Sequence, residues 1–159
     1  MPFLDLLPAQ RIRTDVVAAD KAGLLDRLAG LLADPGADRE AIHDSLRARE
    51  QLGSTGLGRG VAIPHGRIAA LDQARAAFVR LDTPLAFDAA DGGPVDLVAA
   101  LVVPLHYTDQ HLHLLAELAG MFSDAELTRA LRSAPDADAL RAELAEFRRR
   151  QDKAPAWTD

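Results

Sequence analysis

Residues 95–103 read Val-Asp-Leu-Val-Ala-Ala-Leu-Val-Val, a run in which Asp96 is the single polar residue. Such a nearly continuous apolar stretch is typical of a strand that other elements cover on both faces. Pro104 ends the run, and the residues before it, Asp91-Gly92-Gly93-Pro94, predict a turn. The stretch therefore predicts a central strand in an α/β domain.

The chain before this central strand predicts further strands and two helices. Residues 10–18 and 76–81 are rich in side chains that favour strands. Helical periodicity follows Asp20 and Asp38, whose carboxylates are suited to cap a helix, and the second helix should extend to about Gln51. This mixture of strands and helices predicts a layered α/β domain, a small mixed β-sheet covered by helices.

The chain after the central strand predicts helices. We expect them over residues 109–122, 124–132 and 136–149. Ser123 with Glu126 forms a capping-box pattern at the start of the middle helix. Residues 1–150 should therefore form one domain, and residues 151–159 a polar tail for which we expect no fixed structure.

The composition narrows the classes of function. A chain of 159 residues with 48% hydrophobic residues suffices for one core, and its formal net charge of −6 disfavours nucleic-acid binding. The absence of cysteine excludes disulfides and thiolate chemistry. No leader pattern and no apolar stretch of membrane-spanning length is evident in the sequence. We therefore expect a cytoplasmic protein without membrane insertion.

A second stretch, at residues 49–68, indicates the chemistry. It reads Arg-Glu-Gln-Leu-Gly-Ser-Thr-Gly-Leu-Gly-Arg-Gly-Val-Ala-Ile-Pro-His-Gly-Arg-Ile and passes from a helix end through a glycine-rich loop to His65. Pro64 fixes its own φ and Gly66 would let the chain turn directly after the histidine, so the imidazole should be aimed in one direction. Near neutral pH an uncharged imidazole has one nucleophilic nitrogen, which can accept a phosphoryl group and release it again.

The same stretch contains candidate phosphate ligands. Backbone amides of the loop at Ser54, Thr55 and Gly56 could turn toward one anion. Arg49 falls on the core-facing stripe of its helix, and its planar fork of donors suits phosphate oxygens. A snorkelling arginine explains that position about as well. No Lys-Ser or Lys-Thr pair follows the loop, so a nucleotide-binding loop is disfavoured.

Histidines also cluster near the start of the helix predicted at residue 109. His111 and His113 are two residues apart, so on a helix they diverge and cannot easily share a metal, although His106 could still join one of them. Glutamate or cysteine companions at metal-site spacing are missing, and we expect neither a metal nor a cofactor. His111 could instead face His65, and surface histidines without a chemical role are the alternative interpretation.

These motifs resemble the fructose/mannitol/nitrogen-regulatory type of enzyme IIA from the bacterial phosphoenolpyruvate-dependent phosphotransferase system. The resemblance is carried by residues 49–66, 83–88, 94–97 and 111–115, and it extends roughly over residues 4–145. It implies that His65 is the phosphoacceptor, that His111 is a second active-site histidine and that Arg49 stabilises the phosphoryl group. We expect a tele-phosphohistidine, although the sequence itself does not distinguish the two ring nitrogens.

The resemblance also implies partners. A histidine phosphocarrier protein would donate the phosphoryl group, docking against apolar side chains near His65 such as Leu57 and Ile68. The carrier would then act as a nitrogen- or potassium-type regulatory protein on target proteins. In the alternative, the phosphoryl group passes to the IIB domain of a fructose- or mannitol-type sugar permease. A third possibility, a hydrolase with His65 as general base, lacks an evident nucleophile.

Overall fold

The computed structural model describes residues 2–153 and centres on strand β6, Val95–Pro104. Every residue of β6 except Asp96 is buried. Successive side chains enter opposite cores, with Leu97, Ala99, Leu101 and Val103 on one face of the sheet and Val98, Ala100 and Val102 on the other. The prediction of a central strand covered on both faces is confirmed.

Within the described residues the sheet has six strands in the order β1-β5-β6-β3-β2, and β4 also pairs with β6. The other strands are β1, Ile12–Val16; β2, Gly56–Gly58; β3, Val61–Ala62; β4, His65–Ile68; and β5, Arg75–Leu85. β1 runs parallel to β5, and β3 and β4 run parallel to β6, whereas the β5–β6 and β2–β3 pairs are antiparallel. The sheet is mixed, as the sequence predicts.

Helices cover both faces of the sheet. They are α1, Lys21–Leu32; α2, Arg39–Gln51; α3, Asp109–Phe122; α4, Ala125–Ser133; and α5, Ala137–Lys153. Two short 3-10 turns, Phe3–Leu6 and Ala9–Arg11, precede β1. α1 and α2 pack on one face, and the first 3-10 turn and α3 to α5 pack on the other. In residues 2–153 no helix is long and apolar enough to cross a membrane.

The helix ends confirm two predicted caps and correct a third. Asp20 and Asp38 cap α1 and α2 as predicted, each accepting a backbone N–H three residues later. The capping box is wrong, because Asp124 immediately precedes α4 and accepts from the N–H of Leu127 at 2.9 Å. Ser123 instead donates its hydroxyl to the carbonyl of α3 three residues earlier.

The last helix is longer than the sequence predicts. α5 continues to Lys153, so residues 151–153 are helical and lie beyond the domain boundary predicted at residue 150. The remainder of the predicted tail, residues 154–159 with Trp157, lies outside the described residues.

Candidate functional site

His65 is the first residue of β4, which follows β3 along the same edge of β6 after a gap formed by Ile63 and Pro64. Between the two strands the N–H of Ile63 donates to the carbonyl of Thr55, and Pro64 has no N–H to continue the ladder. The carbonyl of Ile63 lies 2.8 Å from Nδ1 of His65. Pairing with β6 continues through the carbonyl of Pro64, which accepts from the N–H of Leu101, and the carbonyl of Ile63 is left to orient the imidazole.

Gly66 does not form the turn that the sequence predicts. It continues strand β4, and its importance lies in close packing with α2. A β-carbon at this position would overlap with the side chain of Ser45, whose hydroxyl accepts from the N–H of Arg67 at 3.0 Å and donates to its carbonyl at 3.1 Å. The glycine therefore lets α2 approach the strand that begins with the histidine.

Arg49 and Ile63 together define the tautomer of His65. Ile63 offers only a carbonyl at Nδ1, so Nδ1 must carry the ring proton. At the opposite nitrogen, Nε of Arg49 donates to Nε2 of His65 at 3.2 Å, so Nε2 holds the lone pair. Nη1 of Arg49 is in turn held by the carbonyl of Gly53 at 2.9 Å. The free lone pair of this ring is therefore on Nε2, the tele nitrogen.

The surroundings of His65 favour its neutral form. Its side chain is 9% exposed. Burial is the main cause that lowers the pKa of His65, and the charge of Arg49 lowers it further, while the hydrogen bond to Ile63 and the carboxylate of Glu50 oppose the shift. At neutral pH the ring is uncharged and keeps its lone pair.

His111 reaches the same point from the opposite face of the sheet. It lies in the first turn of α3, and its ring centroid is 5.4 Å from that of His65, with the rings nearly perpendicular. Burial, followed by the charges of His65 and Arg67, lowers the pKa of His111 to about 4. Its Nε2 is buried and has no hydrogen-bond partner among the described residues. Arg49, His65 and His111 therefore converge on one point of the fold.

In the structure, donors of the predicted phosphate cradle bond within the chain. The backbone N–H of Thr55 donates to both carboxylate oxygens of Glu50 at 3.2 Å, and its hydroxyl donates to the same carboxylate. The N–H of Gly56 donates to the hydroxyl of Ser54, which itself donates to the carbonyl of Phe87 at 2.6 Å. These donors are engaged within the chain and are not available to an anion.

Glu50 is the residue at this site that sequence reasoning missed. Its carboxylate is buried, accepts from Thr55 and forms an ion pair with Lys21 Nζ at 3.0 Å. It thereby ties the glycine-rich loop to the end of α2, directly beside Arg49. The spacing of Ile42, Leu46 and Glu50, four residues apart each time, was a signal that this glutamate faces the core.

The surface near the site offers exposed apolar side chains. Leu52, Leu57, Leu105 and Leu112 are exposed, and they lie in or next to segments that contribute to the site. Ile68, predicted as a docking contact, is buried, because its side chain points into the core under α1 and α2. Between residues 2 and 153 no three histidine or acidic side chains are grouped to hold a metal ion.

Comparison with known proteins gives relatives over most of the chain. The chain is 43% identical over 137 residues to a nitrogen regulatory protein of Pseudomonas aeruginosa. The aligned residues cover 85% of this chain and 89% of the relative. It is 31% identical over 143 residues to a fructose-specific EIIA component of the phosphotransferase system from Haloferax volcanii, with 89% and 93% coverage. A crystal structure of nitrogen regulatory protein IIA-Ntr from Neisseria meningitidis superimposes with a TM-score of 0.85 at 42% identity, covering 89% and 97%.

A family model also matches most of the chain. The model named "Phosphoenolpyruvate-dependent sugar phosphotransferase system, EIIA 2" matches residues 5–147, from the first 3-10 turn into α5. The matched region contains both histidines and the arginine of the site. The chain therefore belongs to the EIIA type-2 family of the phosphoenolpyruvate-dependent phosphotransferase system.

Proposed function

We propose that this chain is a phosphoryl carrier that accepts a phosphoryl group on Nε2 of His65 from a histidine phosphocarrier protein. The observation that supports this most is the pair of contacts on one ring. Nδ1–H is held by the carbonyl of Ile63, and the lone pair of Nε2 is directed toward Arg49. A neutral imidazole with one nitrogen fixed and the other nucleophilic is suited to nucleophilic attack on phosphorus.

In the transfer step, Nε2 of His65 forms a new N–P bond while the N–P bond of the donor histidine breaks. The electron pair of the broken bond stays on the donor imidazole, and Nδ1–H of His65 keeps its hydrogen bond to Ile63. Arg49 has to leave Nε2 during this step, and its guanidinium can then bind the phosphoryl oxygens. His111, 5.4 Å away between ring centroids, supplies a second group to those oxygens.

The proposed physiological role is regulation by phosphorylation. The relatives of about 40% identity are named nitrogen regulatory proteins, and this supports a nitrogen- or potassium-type regulatory carrier acting on target proteins. A transport role, with transfer to the IIB domain of a sugar permease, is the second candidate because a fructose-specific EIIA component is also a relative. Both roles use the same phosphohistidine.

The chemical proposal is tested by phosphorylation with a purified phosphocarrier that has been charged by its own upstream enzyme. We expect intact-mass analysis to show one added phosphoryl group on the wild type and on His113→Ala, whose exposed side chain lies on the same helix as His111. We expect none on His65→Ala. Nitrogen-15 NMR of the product should place phosphorus on Nε2. Labelling of the alanine variant at the wild-type rate would refute the assignment.

A deletion strain separates the two physiological roles. Normal uptake of every sugar together with altered nitrogen or potassium responses supports regulation. Loss of phosphorylation of one sugar, restored by the wild-type chain and not by His65→Ala, supports the transport role instead.

A further inference from the structure

A cavity of about 850 Å³ opens between the N-terminal segment, the start of β5 and helix α5. Four arginines line it, namely Arg11, Arg75, Arg141 and Arg148. The carboxylates in its lining are those of Asp5 and Asp72. A cavity with an excess of guanidinium groups stands out in a chain whose formal net charge is −6.

Two of these arginines are satisfied within the chain. Arg148 Nη1 lies 2.7 Å from a carboxylate oxygen of Asp5. Arg75 forms an ion pair with Asp34 and donates to the carbonyl of Leu32 at 3.3 Å. Both therefore have partners within the chain, and we look to the other two arginines for ligand contacts.

The other two arginines are not satisfied in this way. Nη2 of Arg11 is 4.0 Å from the carboxylate of Asp34, too far for a hydrogen bond. Nε of Arg141 is buried and lacks a hydrogen-bond partner among residues 2–153. A buried donor without a partner is costly, and in native proteins such a group often marks an ordered water or an ion.

The electrostatics of Arg11 agree with this geometry. Burial is the main cause that lowers the pKa of Arg11, the nearby charge of Arg75 lowers it further, and Asp34 only partly opposes both. An anion beside Arg11 would relieve its repulsion from Arg75 and would offer an acceptor to its guanidinium donors.

We propose that this cavity binds a small metabolite bearing a phosphate monoester, with Arg141 and Arg11 as its phosphate ligands. The planar donor fork of arginine matches phosphate oxygens, and the volume suits a small organic molecule. Leucine side chains of the N-terminal segment, Leu4, Leu6 and Leu7, provide an apolar wall for the organic part. None of the lining residues belongs to the site around His65, so the two sites are separate.

Binding is tested on the whole chain with phenyl phosphate as probe and inorganic phosphate as a second probe. The side-chain Nε–H resonances of arginine, followed by NMR, report which guanidinium groups meet the anion. We expect saturable shifts that include Arg141, tighter binding of phenyl phosphate than of inorganic phosphate, and weaker binding at high salt. Absence of saturable binding of phenyl phosphate would overturn the proposal.

Variants locate the site. Arg141→Gln should weaken binding about tenfold or more, because it removes a charge-assisted donor pair. Arg129→Gln, which removes the same charge from an exposed position on α4, should leave the affinity unchanged. Equal weakening by both variants would show general charge attraction and refute the site. If Arg141→Gln does not fold, Arg11→Gln provides the same comparison.

The His65→Ala variant distinguishes the two sites. We expect it to bind phenyl phosphate with wild-type affinity, since His65 does not line the cavity. Loss of binding in this variant would assign the probe to the phosphoryl-transfer site and would overturn the proposal, without bearing on whether His65 accepts a phosphoryl group.

Discussion

His65 is buried and His111 is half-buried, and their rings lie next to each other at the site. Burial lowers the pKa of both rings, and for His111 the neighbouring ring is the second cause. Two positive rings 5.4 Å apart would repel, so the folded protein holds both in the neutral form at neutral pH. Each ring therefore keeps a lone pair on one nitrogen at neutral pH.

This pairing predicts how the free energy of unfolding depends on pH. The folded pKa of His111 is about 4, below the ordinary value of 6.5 that applies to the unfolded chain. Below pH 6.5 the unfolded chain binds a proton that the folded one refuses, so stability falls as pH decreases from about 6.5 to about 4. Allowing for solvent screening, we expect the free energy of unfolding of His111→Asn to fall over this pH range by about 1–2 kcal/mol less than that of the wild type.

Urea unfolding at a series of pH values provides the measurement. His113→Asn, an exposed histidine two residues further along α3, should follow the wild-type curve. Parallel curves for the wild type and His111→Asn would contradict the prediction.

For single residues, the sequence predicts which side chains come together. It does not predict which of their atoms form the contacts. Arg49, His65 and His111 converge as the motifs imply. The choice of ring nitrogen depends on the carbonyl of Ile63, a backbone contact that no side-chain pattern reports. The role of Glu50 was not predicted for a similar reason. A charged residue on the core-facing stripe of α2 needs a buried partner, and the sequence does not show that Lys21 provides it.

Among the elements, the packing of α2 against β4 brings Arg49 to the histidine. The closest approach is at Gly66, where Ser45 lies against the glycine and bonds both backbone groups of Arg67. Any side chain at residue 66 pushes α2 away from the strand. The position of the guanidinium therefore depends on the absence of a β-carbon one residue after the imidazole.

We predict that Gly66→Ala destabilises the fold by about 1–3 kcal/mol, because the new methyl group overlaps with Ser45. Gly120→Ala is the matched control, since no atom lies within 4 Å of a β-carbon at that helical position. The control should be neutral or stabilising by up to about 1 kcal/mol. Chemical denaturation measures both variants, and equal stability of the two would contradict the packing account.

Element length decides what periodicity can predict. The helices and β6 span nine or more residues, and their bounds were predicted to within a few residues except at the end of α5. β2, β3 and β4 span two to four residues each, too few for an alternating pattern to develop. β3 and β4 form because β6 offers an edge for pairing, and β2 pairs in turn with β3; these tertiary contributions have no local signature.

In the whole molecule, the sheet separates two apolar cores. One core lies under α1 and α2 and supports Arg49; the other lies under α3 to α5. α5 contacts α4, β1 and the second 3-10 turn, away from the site around His65. Loss of packing on the α5 side should therefore affect stability more than chemistry.

Two alanine variants test this separation. Leu140→Ala on α5 and Leu46→Ala on α2 remove fully buried side chains, and each should cost about 2–5 kcal/mol of unfolding free energy. Under conditions where both are folded, we expect Leu140→Ala to accept phosphoryl groups at the wild-type rate. Leu46→Ala should be slower, because Leu46 lies one turn before Arg49. Equal rates for the two variants would contradict the division of roles.

The contact between His65 and Ile63 has a consequence for how such a site can be inherited. The ring is oriented by a carbonyl only two positions earlier in the same segment. The orientation of the ring is thus determined within the tripeptide of residues 63–65 and can be inherited with it. Arg49 belongs to a helix, α2, so its contact with the ring has to be preserved separately when the packing of that helix changes. Of the two contacts to the His65 ring, the one to Ile63 is therefore easier to retain in evolution than the one to Arg49.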